Sequence, residues 1–277
     1  MPLVPTAEIV DAAAREGRGV GAFNVLNLEY AEAHVIGAER AGKPVIIQMT
    51  ENCARHHGSI VPLGSAMLAI ARASSVPVSV HLDHATDPEL VQQAVELGFT
   101  SIMFDASKLE YAENAGRTAE VTARCHDQGV YVEAELGEIG GKGGAHAPGV
   151  LTDPDEAAQF VKETGVDALA VAVGSQHSMR ERSRALDLPR ITAIRDRLEV
   201  PLVLHGSSGV PDDEIGRAIE AGMTKVNIAT HLNGVFTRGL REYLESEPAS
   251  IEVKHYLTAA RDALADEITR LLGVVHA

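Results

Sequence analysis

At 277 residues the chain is long enough for one large α/β domain or two small ones. A formal net charge of −15 with no Lys/Arg cluster excludes nucleic acid and anionic membranes as partners, since either needs a basic face, and it requires that any anionic substrate be met by local positive charge. No apolar run approaches the roughly 20 residues that span a bilayer, no basic and apolar leader pattern opens the chain, and Cys53 and Cys125 lack metal-type spacing, so the expectation is a cytoplasmic protein with reduced thiols.

Eight short runs rich in Val, Ile and Ala follow one another along the chain: VGAFNV (20–25), PVIIQMT (44–50), VPVSVHLDH (76–84), SIMFDAS (101–107), VYVEAELG (130–137), ALAVAVGSQH (168–177), PLVLHGSSG (201–209) and KVNIAT (225–230). Their near-continuous apolar character, without alternation, predicts strands covered on both faces, which means a parallel sheet. Between them lie segments of helical periodicity, including NLEYAEAHVIGAERAG, DPELVQQAVELG, DPDEAAQFVKETG and DDEIGRAIEAG. Several open on Asp or Asn and close on Gly, as N-caps and left-handed C-terminal positions favour. Eight such units, with no GxGxxG after the first strand, predict a (β/α)8 TIM barrel rather than a doubly wound sheet. The expected organisation is one domain over 1–277, with a helical pair beyond the eighth strand, from about 231 to 277, as an extension and a candidate subunit interface. The glycine-rich loop GEIGGKGGAHAPGVLTDP (137–154) has the length of a lid or of a disordered tip.

A barrel gathers its chemistry at the C-terminal strand ends. Read in order, those ends carry Asn24; Gln48 and Thr50; Asp83 and His84; Asp105 and Ser107; Glu133 and Glu135; His177; His205; then Asn227 and Thr230. His84, His177 and His205 would converge on one mouth, and three imidazoles with an open fourth position are a catalytic zinc arrangement. Pleating would send Asp83 and His84 to opposite faces, but the rule weakens at a strand's last residue, so both can reach the mouth. Asp83 then either orients the ligands or transfers a proton, while Asp87, ahead of Pro88, reads as a helix cap. His81 reads as a satisfied interior histidine, and His34, His56, His57, His126, His231, His255 and His276 as surface residues. Asp105 and Glu135 have the chemistry to hold a second metal or to orient the imidazoles; spacing does not separate Glu135 from Glu133, and either glutamate could instead pair with a neighbouring Lys or Arg. At the seventh and eighth strand ends, HGSSG (205–209) and NIAT (227–230) suit a phosphate, through Gly206, Ser207, Ser208, Asn227 and Thr230, with Gly174 and Ser175 contributing alike. Lys225 opens its strand and is expected on the barrel floor, which disfavours a lysine Schiff base and leaves a metal as the electron sink.

Taken together, AFN (22–24), HLDHATD (81–87), IMFDAS (102–107), VEAELGEIGG (132–141), AVAVGSQH (170–177), LVLHGSSG (202–209) and KVNIAT (225–230) resemble the class II, zinc-dependent ketose-bisphosphate aldolases, the fructose- and tagatose-bisphosphate enzymes. The resemblance implies that His84, His177 and His205 bind one catalytic Zn²⁺ and that Asp83 is the acid/base at the C4 oxygen. It makes Asp105 and Glu135 supporting groups or ligands of a second divalent ion. Substrate and phosphate contacts would come from Asn24, Thr50, Gly174, Ser178, Gly206, Ser207, Ser208, Asn227 and Thr230, with a monovalent cation near the phosphate loop. The implied partner is a phosphorylated sugar, cleaved to dihydroxyacetone phosphate and an aldehyde; separately, the commonness of symmetric oligomers and the C-terminal helical extension lead to the expectation of a homodimer or homotetramer. The sequence departs from the family pattern in two places. Gly143 stands where members usually carry a proton-exchanging glutamate, leaving Glu138 and His146 as the loop's candidates, and NIATHLN, with Ala229 and Asn233, reads closer to the tagatose type. Two further readings share these residues: an aldolase for a related deoxy or inositol-derived ketose phosphate, and a catalytically silent sugar-phosphate-binding barrel.

Overall fold

The computed structural model describes residues 2–137, 151–177 and 181–276. The eight apolar runs become strands β1 (Val20–Asn24), β2 (Val45–Thr50), β3 (Val78–Ala85), β4 (Ser101–Phe104), β5 (Tyr131–Leu136), β6 (Ala168–Val171), β7 (Leu202–Leu204) and β8 (Met223–Ile228). Each pairs in parallel with the next, and β8 pairs with β1 through registers such as Ala22 opposite Asn227, so the sheet closes into a TIM barrel. Closure leaves no strand edge, and nearly every strand residue is buried, as continuous apolar runs require.

The described helices are α1 (Thr6–Arg15), α2 (Leu28–Ala41), α3 (Glu51–His56), α4 (Val61–Ala73), α5 (Pro88–Leu97), α6 (Tyr111–His126), α7 (Pro154–Thr164), α8 (Leu188–Arg195), α9 (Asp212–Ala221), α10 (Thr230–Ser246) and α11 (Val253–Val275). Local chemistry sets their ends. The side chains of Asn27, Asp87 and Asp153 accept from backbone N–H groups in the first turns of α2, α5 and α7, satisfying donors that have no partner within the helix. Gly42, Gly98 and Gly165 end the same helices at φ of 62°, 103° and 67°, a conformation that costs other residues about 1–2 kcal/mol.

Helix α1 caps the N-terminal end of the barrel, where Ile9, Val10 and Ala13 pack with Val20, Ala22 and Ile46 in a floor cluster. The expected C-terminal pair divides differently. Helix α11 packs against α2, α9 and β1, and so fills the eighth place in the helical ring, whereas α10 lies outside it against α11. The apolar face of α11, Leu264, Ile268, Leu271, Leu272 and Val275, is buried against this surface. His34 and His276, expected at the surface, are buried too. His34 Nε2 lies 2.9 Å from the Asn24 carbonyl oxygen, and burial lowers its pKa to about 4, so the ring is a neutral packing element.

The α2–α11 contact is close because Gly37 has no side chain: a Cβ there would lie 2.7 Å from the Ala265 carbonyl oxygen and from Ile268 Cβ. Alanine would gain about 1 kcal/mol of helix propensity, but overpacking of this kind costs about 1–3 kcal/mol, so the clash wins. The Gly37→Ala protein is expected to unfold at lower denaturant concentration than wild type. An increase in the midpoint would mean that α11 shifts freely and does not hold the ring closed.

Candidate active site

Strand β3 does not pleat regularly at its C-terminal end. Leu82 pairs with Ile102 and Ala85 with Phe104, so three steps on β3 match two on β4 and one residue is extra. His84 absorbs the mismatch with φ of 50°, alone among described non-glycine residues in the left-handed region. The bulge turns consecutive side chains toward the same mouth, with His84 Nε2 3.9 Å from Asp83 Oδ2. Both are then fixed by neighbouring strands. Asp105 Oδ2 lies 2.8 Å from His84 Nδ1, and Ser107 Oγ donates to the other Asp105 oxygen at 2.7 Å. Gln48 Nε2 and Asn227 Nδ2 each donate to Asp83 at 3.2 Å, and Gln48 also donates to Asn24 Oδ1 at 2.7 Å.

His205, one residue beyond β7, is fully buried between two glutamates of β5. Its Nε2 lies 2.9 Å from Glu133 Oε1 and its Nδ1 3.3 Å from Glu135 Oε2. The second Glu133 oxygen accepts from Lys225 Nζ at 2.7 Å. This settles which glutamate pairs with a lysine, and it corrects the expectation that Lys225 sits on the floor. Strand β8 starts two residues earlier than the apolar pattern suggested, at Met223, and the long Lys225 stem carries its ammonium up the interior to the buried carboxylate. His177 is also displaced from its expected place. Strand β6 ends at Val171, and His177 arrives from the loop that follows, with its ring centroid 5.3 Å from that of His84 and 5.9 Å from that of His205. The His84 and His205 centroids are 4.6 Å apart.

The three imidazoles and Glu135 offer ligand atoms that all lie within 4.8 Å of one another. The chemistry of the set fits a divalent transition metal, because Asp105 orients His84 through Nδ1 and Glu133 orients His205 through Nε2, while His205 Nδ1 faces Glu135, itself a member of the cluster. His81, Asp83 and Glu133 also converge within 4.8 Å, but there the Lys225 ammonium already supplies the cation. His81 is the interior residue expected, with Nδ1 2.8 Å from Ser101 Oγ.

Electrostatics follow from this layout. Burial disfavours charge on His205, but the hydrogen bonds its ring donates to the Glu133 and Glu135 carboxylates outweigh it and raise its pKa to about 9. Burial opposes ionisation of Asp83 as well, yet His84, His205 and Lys225 together hold its carboxyl below the usual range, so it is a carboxylate at neutral pH. In His81, burial and then Lys225 lower the pKa to about 3, and the ring is neutral.

Across the mouth, the chain turns at Gly206, whose φ of 67° and 2.7 Å approach of a built Cβ to the Gln176 carbonyl carbon leave room for glycine only. Ser208 Oγ accepts from the backbone N–H groups of Ala229 and His231 at 3.3 Å, tying this turn to the start of α10. The Ser207 hydroxyl turns away and donates to the Leu204 carbonyl, and Gly174 packs at 3.2 Å, measured from a built Cβ, against the Ala185 carbonyl. A pocket of about 630 Å³ joins these parts, lined by Asn24, Thr50, Asp83, His84, Asp105, His177, Gly206, Ser208, Asn227 and Thr230. That volume suits a small ligand, which such clefts accommodate at roughly 300–1,000 Å³. Glu51, Arg55 and Lys108 also line it, and no sequence motif pointed to them. Glu138, Gly143, His146 and Ser178 lie outside the described residues.

The family model described as "Fructose-bisphosphate aldolase class-II" matches residues 4–277. The chain belongs to this family. Among solved structures it is similar to the YdjI aldolase from Escherichia coli K12, with 32% identity and a TM-score of 0.87 over 99% of this chain and 97% of that one. It is also similar to a Coccidioides immitis protein described as a candidate fructose-1,6-bisphosphate aldolase, with 30% identity and a TM-score of 0.87 over 98% and 95% of the two chains. Campylobacter jejuni fructose-bisphosphate aldolase, at 21% identity, has a TM-score of 0.81 over 99% and 95% and shares the fold. The chain is therefore a metal-dependent lyase of the aldolase type, acting on a phosphorylated sugar.

The Glu133–Lys225 pair is buried on both sides, and breaking such a pair costs up to about 3–5 kcal/mol, here because the second Glu133 oxygen is left with no cation while His205 holds the first. The Lys225→Met protein is expected to lose that much unfolding free energy in urea. A loss under about 1 kcal/mol would show that the carboxylate finds water or another partner in the barrel interior.

Proposed function

We propose that the chain is a zinc-dependent aldolase that reversibly cleaves a ketose 1,6-bisphosphate, of fructose or tagatose type, to dihydroxyacetone phosphate and glyceraldehyde 3-phosphate. The observation that carries this reading is the β3 bulge, which sets the ionised Asp83 beside His84 in one pocket with His177 and, across the mouth, the Gly206–Ser208 turn. His84, His177 and His205 would hold the ion, with Glu135 as a fourth donor and Asp105 orienting His84. When bound, the ion supplies Lewis acidity toward the ketone oxygen.

The remaining roles belong to the chain's own side chains. Asp83 removes the C4 hydroxyl proton as the C3–C4 bond breaks and returns it on condensation. Gln48 and Asn227 hold its two oxygens so that the carboxylate, and not a rotamer of it, meets the substrate. The backbone N–H groups about Gly206, Ser207 and Ser208, with Asn227 and Thr230, receive the phosphate of the dihydroxyacetone half. Asn24 and Thr50 line the pocket where the sugar hydroxyls lie.

A coupled cleavage assay with fructose 1,6-bisphosphate and tagatose 1,6-bisphosphate in parallel, before and after chelation, tests the reading. Cleavage of one epimer that is lost on chelation and restored by zinc is the expected result. Cleavage that survives complete metal removal, or a metal-loaded protein that cleaves neither sugar, would contradict it.

A further inference from the structure

We propose that a buried water molecule, held between His81 Nε2, Asp83 Oδ1 and Glu133 Oε2, fixes the inner oxygen of the Asp83 carboxylate and makes His81 a positioning residue for proton transfer. The water follows from the barrel interior alone, while its consequence for catalysis rests on the aldolase reading.

The hydrogen positions around His81 are determined from the floor upward. The Thr100 hydroxyl donates to the Val80 carbonyl at 3.1 Å and accepts from the Val80 N–H at 3.0 Å, so its proton is committed. Thr6 Oγ1 donates to Ser101 Oγ at 2.7 Å, and Ser101, having accepted that bond, gives its own proton to His81 Nδ1 at 2.8 Å. Nδ1 is therefore the acceptor nitrogen. Burial, followed by the Lys225 charge, keeps the ring neutral, which leaves its single N–H on Nε2.

That N–H is the anomaly. His81 is 1% exposed and its Nε2 has no hydrogen-bond partner, although buried polar groups are nearly always satisfied. It faces two carboxylate oxygens, Asp83 Oδ1 and Glu133 Oε2, each 4.0 Å away and so beyond a direct bond. One polar atom from each of the three residues lies within 4.8 Å of the other two. A point between three atoms so spaced is about 2.5–3.0 Å from each, the length of a hydrogen bond to water. The valences match as well. A water at that point accepts from Nε2–H and donates one hydrogen to each carboxylate, which makes the three bonds typical of a buried water. A metal ion is a poorer occupant, because it would meet a ring N–H instead of a lone pair, and Lys225 Nζ already lies 2.7 Å from Glu133 Oε2.

The consequence falls on Asp83. His81 and Asp83 are two residues apart on β3 and line the same interior face, one layer apart. With the water in place, Asp83 Oδ1 has two donors, since Asn227 Nδ2 also donates to it at 3.2 Å. Oδ2, the oxygen 3.9 Å from His84 Nε2, accepts from Gln48 at 3.2 Å and keeps capacity for the C4 hydroxyl. The water thus holds Oδ1 inward and leaves the proton transfer to Oδ2.

A high-resolution crystal structure of the zinc-loaded protein and the kinetics of two variants test the proposal. A single water within hydrogen-bond distance of His81 Nε2, Asp83 Oδ1 and Glu133 Oε2 is expected. A direct bond from His81 to either carboxylate, or a metal ion with anomalous signal at that point, would overturn it. His81→Leu removes the donor, and it is expected to lower kcat for ketose-bisphosphate cleavage about tenfold or more, with KM and zinc content unchanged. His81→Gln, whose amide N–H reaches the same place, is expected to recover most of that loss. An unchanged kcat in His81→Leu, an equal loss in His81→Gln, or a loss of zinc in step with kcat would each overturn the positioning role. A wild type that cleaves neither sugar would overturn the aldolase reading and the positioning role with it. The wild-type crystal structure decides the water in that case too, and also where His81→Leu fails to fold.

Discussion

The site depends on one irregular backbone position. A regular strand alternates its side chains between faces, so a metal ligand and a proton-transfer group cannot both enter the mouth from adjacent residues. The extra residue in β3 and the left-handed turn at His84 remove that restriction at a cost of about 1–2 kcal/mol for a side chain with a Cβ. Pairing on both sides over-determines the conformation: β2 runs in register with β3 through Asp83, and β4 resumes at Ala85. Stored strain of this kind persists only where the surrounding structure enforces it.

The second constraint is charge burial. His81, Asp83, Glu133, Glu135, His205 and Lys225 all lie almost wholly within the barrel, where an unpaired charge is costly. They are tolerated because each has a partner of opposite character within reach. Lys225 offsets Glu133, Glu133 orients His205, and the amides of Gln48 and Asn227 hold Asp83. The polar interior in turn rests on a conventional floor, through Thr6 of α1, which donates to Ser101 Oγ at 2.7 Å, beneath His81. Fold and site are thus continuous: the carboxylates that orient the imidazoles also neutralise the barrel's own interior.

Much of this was legible in the sequence, because strands buried on both faces announce themselves as continuous apolar runs and helix ends as Asn, Asp and Gly at fixed places. The histidines and Asp83 were legible because the barrel rule says where chemistry must gather. The misplacements share a physical cause, which is that apolar pattern does not mark where strand pairing stops. Strand β6 ends at Val171 although its apolar run continues, so His177 belongs to a loop, and β8 begins before its run, so Lys225 lies inside and not beneath. The bulge left no mark beyond two polar residues in succession. The order of α10 and α11 around the ring depends on tertiary packing that periodicity cannot see. Helix α3, with Glu51 and Arg55, is too short to show a period at all.

The central claim is that the β3 bulge delivers two separate functions from adjacent residues. The most direct test compares metal content and sugar-bisphosphate cleavage in the Asp83→Asn and His84→Ala proteins. The account predicts that Asp83→Asn keeps its full complement of bound zinc while cleavage falls by a factor of about 10²–10⁴, the usual worth of a positioned acid/base. His84→Ala, by contrast, should lose the metal and the cleavage together. An Asp83→Asn protein that cleaves at the wild-type rate, or a His84→Ala protein that binds zinc as tightly as wild type, would contradict it.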